Sequence, residues 1–165
     1  MALNIDRVFQ RLTTPDKRGN VPVPELAGKV ISDLRYIVFP QEIIIPAGGS
    51  FTTPVVVPAQ PQQFSAGAVI IGMDADSVPD GQPANPFLVG RERFEIQFDY
   101  TQGDKLSTAF GTASALFGRN GENQWPQKEL YMPPQQNIFT SVRTRLPEQL
   151  LVTVYFGCLV WRFAQ

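Results

Sequence analysis

The sequence contains no histidine, a single cysteine and comparatively few charged residues. Without histidine, the chain has no imidazole base, no Ser-His-Asp triad, no Cys-His pair and no imidazole metal ligand. The single cysteine, Cys158, excludes a disulfide within the chain and a metal site built from several cysteines. We therefore expect no enzymatic activity, no cofactor, no metal and no small-molecule substrate.

Charge and long apolar runs are also scarce. Charged residues make up 18 % of the 165 residues and the net charge is −1, whereas a typical soluble chain has about 25 % charged residues. This balance does not favour direct contact with nucleic acid. Because no apolar run has the length of a membrane span and no basic head precedes an apolar stretch, we expect no transmembrane helix and no signal peptide. Contact with a membrane surface stays open.

The beginning of the chain predicts a short amphipathic helix. Its apolar residues recur at helical spacing, at Ile5, Val8, Phe9 and Leu12, and Pro15 ends the pattern. A mildly basic cluster lies in the same region, at Arg7, Arg11, Lys17 and Arg18. We assign residues 1–33 to an N-terminal arm, which either docks on a neighbouring subunit or lies on its own domain.

The remaining residues, 34–165, show the pattern of short strands separated by glycine and proline. The predicted strands are 34–39, 42–45, 51–57, 63–72, 93–100, Asn137–Arg143 and Leu150–Phe163. Pro54 predicts an edge or bulged strand, residues 74–86 predict a long loop, and 106–117 stays undecided. The predicted fold is an all-β, antiparallel β-sandwich or jelly-roll-like single barrel with one or two short helices.

The last predicted strand, Leu150–Phe163, is apolar on both faces. One face of such a strand packs on the opposite sheet, and the other face needs a second cover. We expect a second copy or a partner protein to provide that cover. The candidate interface residues are Val152, Val154, Phe156, Val160, Trp161 and Phe163. They come from both faces of the strand, and which face forms the interface stays open.

Several carboxylates invite a chemical interpretation. Asp74, Asp76 and Asp80 could bind calcium, but their spacing differs from that of an EF-hand loop, so we favour a solvated acidic loop. Two carboxylate pairs, Glu92 with Glu95 and Asp99 with Asp104, could act as acid and base on a glycoside. Alternating charge on the wet face of a strand explains them equally well.

Aromatic residues near turns offer another possible site. Trp125, Tyr131 and Phe139 could stack on a sugar ring, or they could belong to the core or to an interface. We favour the second interpretation because apolar residues surround Tyr131 and Phe139. Cys158 lies in the most apolar predicted strand, which favours a small core residue over a nucleophile.

Residues 93–163 also carry a pattern of turns and strand ends. A glycine-rich turn at 117–126 is followed by a proline-bounded segment at 129–139 and by an apolar-glycine-aromatic finish at 154–161. This pattern resembles the ending of many small bacteriophage virion proteins. The resemblance implies a single β-barrel or jelly-roll-like fold in a capsid, decoration or minor head protein, including the small capsid proteins of tailless phages with an internal membrane. It implies no individual functional residue, because such families work through surfaces.

Two functions follow as expectations. The first is a structural virion protein, made in the host cytoplasm, that assembles with copies of itself and with other virion proteins. The alternative is a β-sandwich module whose loops bind a carbohydrate or a host surface. An enzyme ranks third.

Overall fold

A computed structural model describes residues 5–21, 23, 26, 28–29, 31–56, 68–81, 90–99, 109–118, 130–132 and 137–163. Among these residues the chain forms two α-helices, α1 (Ile5–Thr13) and α2 (Ala113–Phe117), and a 3-10 turn at Gly90–Glu92. The strands are β1 (Ile31–Ile45), β2 (Ser50–Val56), β3 (Ala68–Pro79), β4 (Glu95–Asp99), β5 (Gly111–Thr112), β6 (Leu130–Met132), β7 (Asn137–Arg143) and β8 (Leu150–Phe163).

The strands form two four-stranded sheets. The first sheet has the order β1-β8-β3-β6 and the second has the order β2-β7-β4-β5. The first strand pairs with the last, the second with the seventh, and so on inward: β1/β8, β2/β7, β3/β6 and β4/β5 are all antiparallel pairs. Together these pairs correspond to one long antiparallel hairpin. Rolling that hairpin brings β3 beside β8 and β4 beside β7. This winding is the topology of an eight-stranded jelly roll, and it confirms the predicted fold class.

Each sheet has an edge strand that contains a proline: β1 in the first sheet and β2 in the second. Pro54 lies in β2, an edge strand of the second sheet, as predicted. The two strands expected at 34–39 and 42–45 are one strand, β1, which continues through Pro40. Because β1 pairs only with β8 among the described strands, the missing N–H of Pro40 is tolerated at the edge.

The acidic segment departs from its expectation. Residues 74–79 belong to β3 and pair with β8 from Asp74↔Tyr155 to Pro79↔Leu150, so the predicted loop is wrong for them. In this segment Ala75 and Ser77 are buried whereas Asp76 and Val78 are exposed. Alternation of this kind is typical of a strand with one buried face. The sequence pattern did not predict the strand, because aspartate and proline are rare in strands.

Other elements are close to their expectations. β7 and β8 have the predicted bounds, and the alternation around β4 is confirmed because Phe94, Ile96 and Phe98 are buried. The undecided segment 106–117 contains α2, whose N-cap Thr112 accepts a hydrogen bond from the N–H of Ala115 at 3.2 Å. Asn120-Gly121, a predicted turn, lies outside the described residues.

The core fills the space between the sheets. Inward residues of the first sheet meet those of the second, and Phe156 of β8 lies at the centre. Its ring stacks on Phe39 with centroids 5.9 Å apart and meets Phe98 edge to face at 6.4 Å. Among the described residues β8 supplies six side chains to this core, more than any other strand. Full burial of one large apolar side chain stabilises the fold by about 1.5–3 kcal/mol.

Candidate functional site

The predicted interface residues on the inner face of β8 belong to the core. Val152, Val154, Phe156 and Val160 have no exposed surface and pack between the two sheets of one chain. They cannot touch a second copy while the chain is folded. The expectation that these four residues form an interface is therefore wrong.

Trp161 lies on the opposite, outer face of β8, and the chain covers it with its own N-terminus. Leu12, Val23 and Leu26 pack with Leu159 and Trp161 in a second apolar cluster. Trp161 is 1 % exposed, and Tyr131 of β6 stacks on it with ring centroids 6.2 Å apart. The assignment of Trp161 to an interface between copies is therefore wrong as well. The side chain of Phe163 lies outside the described residues.

The segment that covers Trp161 forms a third layer on the first sheet. We call α1 and the described residues up to Lys29 the N-terminal layer. After α1 the chain turns back, and the N–H of Val23 donates to the carbonyl of Leu12 at 3.1 Å. Of the two arrangements left open for the arm, the described residues show the one in which it lies on its own domain.

The N-terminal layer covers only one half of the outer face of the first sheet. Outward positions near the β8 end at Phe163 lie beneath it, whereas those toward Leu150 do not. We call the ten outward positions of this second region the uncovered half. They are Val38, Pro40, Glu42, Ile44, Asp74, Asp76, Val78, Leu151, Thr153 and Tyr155.

Large apolar side chains concentrate on this face. Six of the described large hydrophobic residues are exposed, and five of them lie on the outer face of the first sheet. Val38, Ile44 and Val78 are each more than half exposed, at 54 %, 56 % and 54 %. Single exposed apolar residues are ordinary, but a group on one face marks an interaction surface.

Negative charge lies between these apolar positions. Glu42 and Asp76 face outward on either side of Thr153 and are exposed. No lysine or arginine occurs among the ten positions of the uncovered half. Its chemistry is therefore apolar with an acidic middle formed by Glu42 and Asp76, because the third carboxylate, Asp74, is paired with Arg91.

Sequence reasoning missed these residues, although a signal was present. Ile43, Ile44 and Ile45 are consecutive, and neighbouring residues of a strand point to opposite faces. Ile43 and Ile45 are buried, which leaves Ile44 outside. The double-sided apolar pattern was recognised only in β8, where both faces turned out to be largely covered.

The proposed calcium ligands are occupied by other groups. Asp74 forms an ion pair with Arg91, and the Asp76 carboxylate accepts a hydrogen bond from the N–H of Ser77 at 2.8 Å. Asp80 accepts from the side-chain amide of Gln149. Among the residues that the structure describes, no three potential ligands cluster around a common point.

Of the carboxylates considered for acid-base chemistry, Glu95 and Asp99 lie in β4 of the second sheet, and Glu92 lies in the 3-10 turn before it. Glu95 forms an ion pair with Arg143, whose guanidinium lies 4.1 Å from the ring centroid of Phe110. Asp104 lies outside the described residues. A shallow cleft of about 170 Å³ lies beside this ion pair and is lined by Glu92, Arg93, Phe94, Glu95, Arg143, Thr144, Arg145 and Leu146.

Much of the polar lining of this cleft is engaged within the chain. The Thr144 hydroxyl donates to the carbonyl of Arg93 at 2.8 Å and accepts from the N–H of Leu146 at 3.1 Å. Glu95 of β4 and Arg143 of β7 are also paired with each other. These contacts hold β4 against β7. It supplies no nucleophile and base within reach of each other.

The remaining candidates are structural. Tyr131 lies in the first sheet and Phe139 in the second, so the structure does not bring them together; Trp125 lies outside the described residues. Cys158 is fully buried in the core, and burial raises the pKa of its thiol to about 12. The thiol is therefore neutral at ordinary pH, in agreement with its interpretation as a core residue.

None of the described helices is long and apolar enough to span a membrane. The basic residues Arg7, Arg11, Lys17 and Arg18 are all exposed on the N-terminal layer. The site best supported by geometry is thus the uncovered half of the first sheet. No protein-family model matches the chain, and comparison with curated proteins gives no match.

Proposed function

We propose that this chain is a structural protein of a virion, a capsid or capsid-associated component that acts by assembling with copies of itself and with other virion proteins. The observation that carries the proposal is the uncovered half, where Val38, Ile44 and Val78 remain exposed on a jelly roll. Eight-stranded jelly rolls build viral capsids and lectin domains, among other proteins. Fold alone does not choose between these roles.

The chemistry of the described surface favours assembly over ligand binding. The two described aromatic candidates for sugar stacking lie on different sheets, and Tyr131 is occupied with Trp161. The exposed apolar residues instead form a broad sheet face. A face of this kind suits a protein partner, because apolar burial over a wide area drives association.

The test compares assembly with glycan binding on the same purified protein. Negative-stain electron microscopy and mass photometry over a range of concentrations should show ordered assemblies of defined size, formed without any ligand. A glycan array under the same conditions should show no binding. If the protein forms no ordered assemblies at any concentration but binds specific glycans, the virion role is refuted. The alternative, a module that binds a carbohydrate or a host surface, is then supported.

A further inference from the structure

We propose that the uncovered half of one copy binds the N-terminal layer of a second copy, and that the two copies form a reciprocal two-fold pair. The inference rests on the proposed function, since it names the partner of the same surface. Two properties of the outer face support it: its shape, with one half covered by the N-terminal layer and one half uncovered, and its charge.

The profile of the face is self-complementary. Leu12, Val23 and Leu26 place a third layer over the half that contains Trp161, while the half around Ile44 lacks that layer. A two-fold axis that crosses the strands at the middle of the face would set the layer of each copy against the uncovered half of the other. Both contacts are then identical, as an isologous interface requires.

The charge of the two halves is also complementary. Glu42 and Asp76 are exposed within the uncovered half. The N-terminal layer presents Lys17 and Arg18, both exposed, at the turn that follows α1. Opposite charges that meet across an interface select the partner and set its register.

The basic turn is held in place by the chain itself. The Asp16 carboxylate accepts hydrogen bonds from the N–H groups of Arg18 and Asn20, at 2.7 and 2.9 Å. The same backbone donors lower the pKa of Asp16, so the carboxylate stays ionised and keeps the turn closed. Gly19 takes a positive φ of 82°, which closes the turn at low steric cost. Lys17 and Arg18 are therefore displayed on an ordered turn.

Association through strand edges is disfavoured on one side of the sandwich. β1 and β2 end their sheets there, and each contains a proline, Pro40 and Pro54. Proline removes a backbone donor and protects an edge strand from pairing with another chain. An interface through the sheet face avoids both of these protected edges.

The experiment measures the dimer dissociation constant of the full chain by sedimentation velocity, with circular dichroism as a check of folding. Ile44→Asp and Val78→Asp place a charge on the uncovered half and should weaken the dimer about 30-fold or more. Phe51→Asp is the matched control, because Phe51 is 48 % exposed but lies on the second sheet. It should leave the dissociation constant unchanged.

A charge exchange identifies the occupant. Glu42→Lys alone, and Lys17→Glu with Arg18→Glu, should each weaken the dimer about tenfold or more by placing like charges together. All three substitutions in one chain should restore the affinity. Failure of the combined variant to recover, a wild type that is monomeric at every concentration, or a dimer that tolerates Ile44→Asp and Val78→Asp would each overturn the inference.

The outcomes also separate this inference from the proposed function. Ordered assemblies that are insensitive to all of these substitutions would leave the virion role standing and refute the two-fold pair. A charge-rescued dimer that never assembles further and binds glycans would support the pair and refute the virion role.

Discussion

The Tyr36 hydroxyl lies over Gly157 on the neighbouring strand, 2.6 Å from the point where a Cβ atom on that glycine would stand. The Tyr36 ring thereby rests on the outer face of β8, close to the boundary between the N-terminal layer and the uncovered half. Burial raises the pKa of this tyrosine above its ordinary value of 10.0. The absence of a side chain at position 157 is therefore a requirement of this contact.

Gly157→Ala should destabilise the protein by about 1 kcal/mol, because the new methyl group overlaps the Tyr36 hydroxyl and forces it aside. The cost is moderate because Tyr36 is 44 % exposed and has room to move. Urea unfolding in wild-type and Tyr36→Phe backgrounds provides the measurement. The loss should shrink when the hydroxyl is absent, and an equal loss in both backgrounds would contradict the contact.

Val154→Asp should unfold the protein at room temperature. It places a carboxylate among core side chains with no exposed surface, at a cost of several kcal/mol, on the scale of the ~5–15 kcal/mol that stabilise a whole domain. Thr153→Asp, one residue away on the outer face, is the control and should retain a cooperative melt. A folded Val154→Asp monomer would show that this face of β8 is not internal.

Trp161→Ala should cost about 3–5 kcal/mol, because it empties the site beneath the N-terminal layer. The same change should loosen that layer from the sheet. Limited proteolysis is expected to cut between α1 and β1 faster in this variant than in wild type. Equal cleavage rates in the two proteins would argue against the packing of Leu12, Val23 and Leu26 on Trp161.

The stability of the protein should fall between about pH 9 and pH 12 partly through Cys158. The thiol ionises near 9 when exposed and near 12 when folded, so the folded state holds the proton more tightly. The stabilisation is complete below the unfolded pKa and is lost as pH rises toward the folded one, with a slope of up to about 1.4 kcal/mol per pH unit. Cys158→Ala should show a shallower loss in denaturant melts, and parallel curves would refute this assignment.

Arg91→Ala should destabilise the protein by about 1–3 kcal/mol. Arg91 is ion-paired with Asp74 of β3 and donates to the carbonyl of Gly118 at 2.8 Å, so it ties the end of α2 to the first sheet. Its side chain is only 15 % exposed. Arg35, 61 % exposed in its pair with Asp33, offers a control, since Arg35→Ala should change stability by less than about 0.5 kcal/mol. Similar losses in both variants would contradict the anchoring role.

Much of the sandwich could be predicted because a strand with one buried face shows its period of two in the sequence. β4, β7 and β8 follow such patterns or unbroken apolar runs, and their positions were predicted closely. The segment 74–79 was not, since aspartate and proline are poor strand formers. Its strand conformation depends on β8, which pairs with it along its whole length.

The candidate site was predicted only in part. The composition of β8 predicted that both of its faces are buried. The burial of Val154 on the inner face and of Trp161 on the outer face confirms this. The nature of the second cover could not be read, because Leu12 and Trp161 are far apart in sequence and no local period relates them. For the same reason the uncovered half around Ile44 was overlooked.

The amino-acid sequence by itself determined that histidine chemistry and an internal disulfide are absent, and that β8 needs burial on both faces, since these follow from side-chain type and the two-residue period of a strand. Tertiary structure alone decided that the chain's own N-terminus covers Trp161 and that Ile44 and Val78 remain outside. The physical reason is that apolar burial is non-directional. The sequence pattern of a strand predicts that a face must be buried. Which segment buries it depends on how distant parts of the chain pack together.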